Sequence, residues 1–315
     1  MAMICCLVPQ VLAAGRTLEV GPTRPLRLPS EAARLASDGD RVLIDPGIYR
    51  DCAYWPQNGL VLRARDGEVH LTEKVCGGKA IWVIAGRDVL VEGIRFSQAR
   101  VPDRNGAGIR LEPEASLTVR HSHFLGNEIG LLAGNGARSY VVIEHSRFEE
   151  TTLSHALYVN FIDRLEIRNT VFLRQFGKHH VKSRARLNLL VGNTIDDGAD
   201  GVSSYLVDFP NGGTITLQGN RLTKGPRSAN AMAAIAIGLE GEKLQSEGII
   251  LHDNEFTSRR PGLRAFVRNA TGVEAQISGN RIRGFVTVLS GPGTVTPGPR
   301  RTSNGTDGRK NVVGQ

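Results

Sequence analysis

Eight times along this chain a short apolar strand closes on Phe, Leu or Ile: VLVEGIRF, LTVRHSHF, VVIEHSRF, LEIRNTVF, NLLVGNTI, ITLQGNRL, IILHDNEF and AQISGNRI. The closing residues are Phe96, Phe124, Phe148, Phe172, Ile195, Leu222, Phe256 and Ile282, spaced by 28, 24, 24, 23, 27, 34 and 26 positions. Such a period predicts a solenoid. Two positions before each end stand Ser122, Ser146, Thr170, Asn193, Asn220, Asn254 and Asn280, and Ile94 in the first copy breaks the polar column. In stacked coils that column becomes a ladder in which each polar side chain bonds to the next.

A second strand follows each first one, visible as GIRLEP, IGLLAGN, HALYVN, HHVKSR, SSYLVD, AAIAIG, RAFVRN and FVTVLSG. Aliphatic and β-branched residues at alternate positions are the period of strands. A repeat of about 24 residues without a helical segment is too short for strand–helix–strand crossovers, so the coils must stack directly as parallel sheets. A solenoid buries only a local core per repeat, so a single domain can run to this length.

On these repeats the chain resembles, over residues 24–290, the right-handed parallel β-helix superfamily of pectate lyases, polygalacturonases and the chondroitinase B and alginate lyase group. The resemblance implies an all-β fold, a single-stranded right-handed parallel β-helix solenoid of nine or ten coils with a short N-terminal capping helix. It implies no single activity, because one scaffold hosts lyases, hydrolases, epimerases and adhesins. The opening LRLPSEAARLASDGDRVLIDPGIY fits the cap: Ser30 as N-cap, with Ala32, Ala33, Leu35 and Ala36 over the open end. Asp45-Pro46-Gly47 then turns the chain into the first coil.

Residues 1–14, MAMICCLVPQVLAA, carry no charge and read as a signal peptide cut near Ala13 or Ala14, which directs the protein to the periplasm or the medium. The run is too short to span a bilayer, so no stable membrane insertion is expected. Cys52 and Cys76 are 24 positions apart, one coil, which places them on adjacent coils within reach of a disulfide. A disulfide fits an oxidising compartment. Residues 291–315 are rich in Gly, Pro, Thr and basic residues and read as a flexible tail.

Thirty-nine Lys and Arg against 31 Asp and Glu leave a net charge of +8, which attracts polyanions. No nucleic-acid module or series of stacking aromatics accompanies the basic residues, so the expected partner is an acidic polysaccharide and not a nucleic acid. A monomer is expected.

The segment Phe176 to Asp208 concentrates chemistry. If Val181 and Ser183 face inward, strict alternation turns His180, Lys182 and Arg184 outward. A shift of 24 residues stacks them on Ala156, Tyr158 and Asn160, sets His155 under His179, and puts Asp208 over Arg184. Such a patch fits β-elimination of a uronate polymer, which needs a cation against the carboxylate, a base at C5 and an acid at the leaving oxygen. The expected roles are Lys182 as base, Arg184 as neutraliser and Tyr158 or His180 as proton donor, with Asn160, His155, His179 and Asp208 binding substrate. The chondroitinase B and alginate lyase group likewise uses a Lys and an Arg on the outer face of the helix.

Hydrolysis would need facing carboxylates, for which Asp196, Asp197, Asp200 and Asp208 are available, but Asp196, Asp197 and Asp200 look first like turn residues. A third reading is a carbohydrate-binding surface protein without turnover. No cofactor is expected, and no set of outward carboxylates offers calcium a clear site, so no metal is assigned.

Overall fold

A computed structural model describes residues 15–296, and the segments 1–14 and 297–315 lie outside it, the former with the expected signal peptide. Three parallel sheets form the walls of a β-solenoid: a first of 12 strands, a second of 10 and a third of 10. Each coil contributes, in chain order, one strand to each sheet, as in Leu117–Arg120, His123–Leu125 and Ile129–Ala133. The first sheet begins at Thr17–Val20 and ends at Gly293–Thr296, so the solenoid runs past both boundaries read from the sequence. Residues 293–296 are therefore a strand and not tail. Their apolar content is too low to signal one, and backbone pairing onto Ala275–Ser278 supplies the order instead.

The polar column forms the expected ladder at the corner between the first and second sheets. The Asn193, Asn220 and Asn254 side chains each donate to the amide oxygen of the next, at 2.8–2.9 Å, ending on Asn280. Each of those oxygens also accepts the backbone N–H of the preceding Asn. Ser146 Oγ and Thr170 Oγ1 do the same for Ser122 and Ser146 at 3.2 and 3.3 Å, and Ser122 Oγ closes the series on Ile94 N–H. A ladder of this kind satisfies buried backbone groups that the bend takes out of the sheets. The bend itself needs a left-handed residue just before each ladder position, supplied by Gly93, Gly192, Gly219 and Gly279 in some coils and by His121, His145, Asn169 and Asp253 in others. His121 and His145 stack at 5.2 Å as part of this corner.

The closing aromatics stack inside. Ring centroids of Phe96, Phe124, Phe148 and Phe172 follow one another at 5.2, 4.4 and 4.8 Å, with Trp82 set edge-on against Phe96 at 5.1 Å. Burying each such ring contributes about 1.5–3 kcal/mol. Every coil thereby carries its own share of one continuous core.

The capping helix spans Pro29–Leu35, and Ala32 and Ala33 are buried over the end of the coil. Two details differ from expectation. Ser30 lies inside the helix, where its N–H donates to Asp51 Oδ2 at 2.7 Å; the capping carboxylate is that of Glu31, which accepts the Arg27 and Leu28 N–H groups. Leu35 points to solvent, because the chain leaves the helix at Ala36 before a further turn can close over it. Cys52 and Cys76 form a disulfide between adjacent coils, with Cα atoms 5.4 Å apart.

Candidate functional site

The outer face of the third sheet carries the chemistry. In the register of neighbouring coils Leu157 pairs with Val181 and Tyr158 with Lys182, so Tyr158 and Lys182 share one outward column. Asp208 pairs with Lys182 and completes it. The expected partner of Asp208 was Arg184; the loop between the strands Thr194–Asp196 and Val207–Phe209 lengthens the coil and moves the register by two residues.

Alternation fails immediately before this strand. The consecutive N–H groups of Ala156 and Leu157 donate to the carbonyls of His179 and His180, at 3.1 and 2.9 Å. The backbone turns there, so His180 and Val181 both point into the core while His179 stays on the outer side. The positions equivalent to His180 in earlier coils are Gly108, Gly130 and Ala156, and a Cβ on either glycine would run into the Phe124 or Phe148 ring. His180 is therefore a wholly buried residue and not part of the outward patch.

Outside, one carboxylate ties the cations together. Lys182 Nζ donates to Glu240 Oε1 at 2.5 Å and Arg184 Nη2 to Glu240 Oε2 at 2.6 Å. Arg184 also donates to the Tyr158 hydroxyl at 2.5 Å and, through Nε, to Asn211 Oδ1 at 3.0 Å. Lys182 Nζ stands 3.3 Å from Asp208 Oδ2. Burial raises Asp208 to about 6, against the pull of Lys182. Burial also raises Glu240, but the hydrogen bonds from Lys182 and Arg184 outweigh it and hold the carboxyl below its ordinary value.

Three rings flank the cations along the axis: His155, His179 and Tyr205, with centroids 4.8 and 5.3 Å apart, and His155 lies 5.0 Å from Tyr158. His179 Nδ1 accepts the Tyr205 N–H at 3.1 Å, which leaves the proton on Nε2, 3.4 Å from Asp208 Oδ2. Burial first, and then Lys182, pushes His179 down to about 3; burial and His179 push His155 to about 2. Both rings are neutral at neutral pH. Phe161 is a surface aromatic on the other flank, with the Arg184 guanidinium 6.0 Å from its centroid. Asn160 is half-buried one coil from Arg184, and among the described residues its side chain makes no hydrogen bond to the cluster.

Behind the strand lies a second, sealed cluster. His180 Nε2 meets Asp197 Oδ1 at 2.8 Å, and Asp197 Oδ2 accepts the Gly225 N–H at 3.0 Å and the Ser228 hydroxyl. Lys224, fully buried, donates to the Ser203 and Ser204 carbonyls. Burial opposes ionisation of Asp197, yet the hydrogen bond from His180 and the charge of Lys224 hold it below the usual carboxylate range. Burial lowers Lys224 to about 8. Asp196 caps Gly198 N–H at 2.7 Å and Asp200 is an exposed turn residue, so these three aspartates do not face a common bond.

Among the described residues no group of three or more His, Cys, Asp and Glu side chains converges as a metal site would. Calcium takes six to eight oxygens. Here the carboxylates Asp208 and Glu240 both face the Lys182 ammonium. In a surface depression elsewhere, Glu255 pairs with Arg221 and Arg281 of the neighbouring coils, and Asp253 pairs with His252.

Glu240, Asn211, Phe161 and Tyr205 were not singled out from the sequence. Glu240 follows the strand Ala233–Ile237 in the longest connection from the third sheet to the first, residues 238–248. The one available signal was the 34-residue interval between Leu222 and Phe256.

The crystal structure of pectate lyase Pel9A superposes on this chain with a TM-score of 0.51 and 11% identity, over 89% of this chain and 78% of that one. The chain has the pectate lyase-like β-helix fold. Looser superpositions are those of a pectin methylesterase from Aspergillus niger (TM-score 0.42, 11% identity, 89% and 91% of the two chains) and of the Azotobacter vinelandii mannuronan C-5 epimerase AlgE4 A-module (0.38, 13%, 84% and 93%). No protein-family model and no curated protein matches the sequence. No helix among the described residues is long and apolar enough to cross a membrane.

Proposed function

We propose that this protein is a polysaccharide lyase that cleaves an acidic, uronate-containing glycan by β-elimination on the outer face of the third sheet. The observation that carries the reading is the convergence of Lys182 and Arg184 on a single carboxylate beside the Tyr158 hydroxyl. A uronate bound in the same way has its carboxylate charge offset by Arg184, which acidifies the C5 proton. Lys182 Nζ then takes that proton as the general base. The C5–H electrons form the C4=C5 double bond, the C4–O bond breaks, and the leaving oxygen is protonated. Tyr158 is suited to that donation, because its oxygen accepts from Arg184 and its own proton is free to point elsewhere.

Phe161 and the partly exposed Tyr205 offer apolar surface for sugar rings on either flank. The basic net charge favours a polyanion. The Cys52–Cys76 disulfide supports a site of action outside the cytoplasm. Likeness of fold to a pectate lyase agrees in substrate class.

The test is a screen of purified protein against alginate, pectate, glucuronan, chondroitin and bacterial exopolysaccharides. Ultraviolet absorbance from a C4=C5 double bond supports the lyase. New reducing ends without it mean hydrolysis, and binding without either product means a non-catalytic carbohydrate-binding protein.

A further inference from the structure

Glu240 has no role in the elimination, yet among the described residues it is the only side chain that touches both cations from the solvent side. Its position is that of a ligand. Its side chain is 47% exposed, whereas those of Lys182 and Arg184, which it covers, are 10% and 13% exposed. We propose that the Glu240 carboxylate is an intramolecular stand-in for the carboxylate of the substrate: it fills the Lys182–Arg184 subsite in the free protein and rotates out when an acidic sugar binds. The inference rests on the lyase reading for the identity of the ligand, but the subsite and its occupant follow from geometry alone.

Three features fit a displaceable occupant better than a structural clamp. First, the cations are held without it. Lys182 keeps Asp208 at 3.3 Å, and Arg184 keeps Tyr158 at 2.5 Å and Asn211 at 3.0 Å, so the subsite stays in shape when Glu240 leaves. Second, the loop backbone is tied down independently of the carboxylate. Glu240 N–H donates to Pro210 O at 2.8 Å, Lys243 N–H to Asn211 O at 3.1 Å, and the Asn211 amide to Gly241 O at 2.9 Å. Release therefore needs only rotation about side-chain bonds into open solvent. Third, the half-exposed carboxylate regains hydration on leaving, while an incoming carboxylate takes its place on the two largely buried cations.

A neutral glycan cannot replace the charge that Glu240 supplies, whereas a uronate exchanges one carboxylate for another. Glu240 thus acts as a filter against neutral polymers. An open cationic pair would also attract small anions, which the resident carboxylate excludes.

The experiment is isothermal titration of wild type, Glu240→Gln and the double variant Glu240→Gln/Arg184→Ala with galacturonate, glucuronate and mannuronate trisaccharides, and with a neutral galactose trisaccharide, circular dichroism checking each fold. Glu240→Gln should bind at least one acidic trisaccharide about fivefold to tenfold more tightly than wild type, with no gain for the neutral one and no gain in the double variant. No gain for any acidic sugar, or an equal gain for the neutral one, overturns the proposal. If the gain appears but wild type releases no unsaturated product from any acidic polymer, the stand-in holds and the lyase reading fails. If wild type does release that product and the gain is missing, the reverse is true. If neither protein binds an acidic trisaccharide and no acidic polymer yields unsaturated product, both fall.

Discussion

Two clusters of one lysine, one aspartate and one histidine meet at His179–His180, where the chain enters the strand Val181–Ser183. Outside are Lys182, Asp208 and His179; inside are Lys224, Asp197 and His180. The inner set is sealed, with both Asp197 oxygens occupied and Lys224 bonded to two backbone carbonyls, and it joins the turns of neighbouring coils. The outer set is open on one side, and the group across that opening is a single half-exposed glutamate. Residue types do not separate a scaffold from a site here. What separates them is access: the inner set is closed to solvent, even though His180 Nδ1 has no partner there, whereas the outer set opens to solvent through one exposed carboxylate.

The comparison breaks most visibly at Asp197. Its removal leaves His180, Ser228 and Gly225 without their acceptor and Lys224 without a counter-charge, so Asp197→Ala should cost about 3–5 kcal/mol in urea unfolding. A loss under about 0.5 kcal/mol would mean that the inner cluster is not structural. The uncharged Asn ladder provides a yardstick. Asn220→Leu takes the acceptor from two Asn193 N–H groups and should cost about 1–3 kcal/mol. An unchanged denaturation midpoint would show that water replaces the amide.

The outer cluster should respond more weakly, and through pH. Asp208, raised to about 6, binds its proton more tightly folded than unfolded, where its pKa is about 4. Its contribution is fully present below about pH 4 and is lost as pH rises through about 6. Asp208→Asn should therefore flatten the pH dependence of stability between these values. Parallel curves for the two proteins would contradict the burial that raises the carboxyl.

The sequence reveals whatever obeys the period. The Phe stack, the Asn ladder and the Cys52–Cys76 bridge each follow from residues one coil apart. Site details fail where the period does. His180 turns inward because two consecutive N–H groups pair with the next coil, which a rule of strict alternation cannot foresee. Asp208 moves from Arg184 to Lys182 because the preceding loop is longer than the repeat. Glu240 belongs to the most irregular connection, and its contacts with Lys182 and Arg184 span 58 and 56 residues, beyond any local pattern.

The central claim is that the outward Lys182–Arg184 pair performs chemistry. It is tested most directly by the rate of unsaturated-product formation on a polymer that wild type cleaves, for wild type, Lys182→Ala and Arg184→Ala. Each variant should lose about 10² or more in turnover with an unchanged circular dichroism spectrum. Full turnover in both variants would place the chemistry elsewhere on the solenoid.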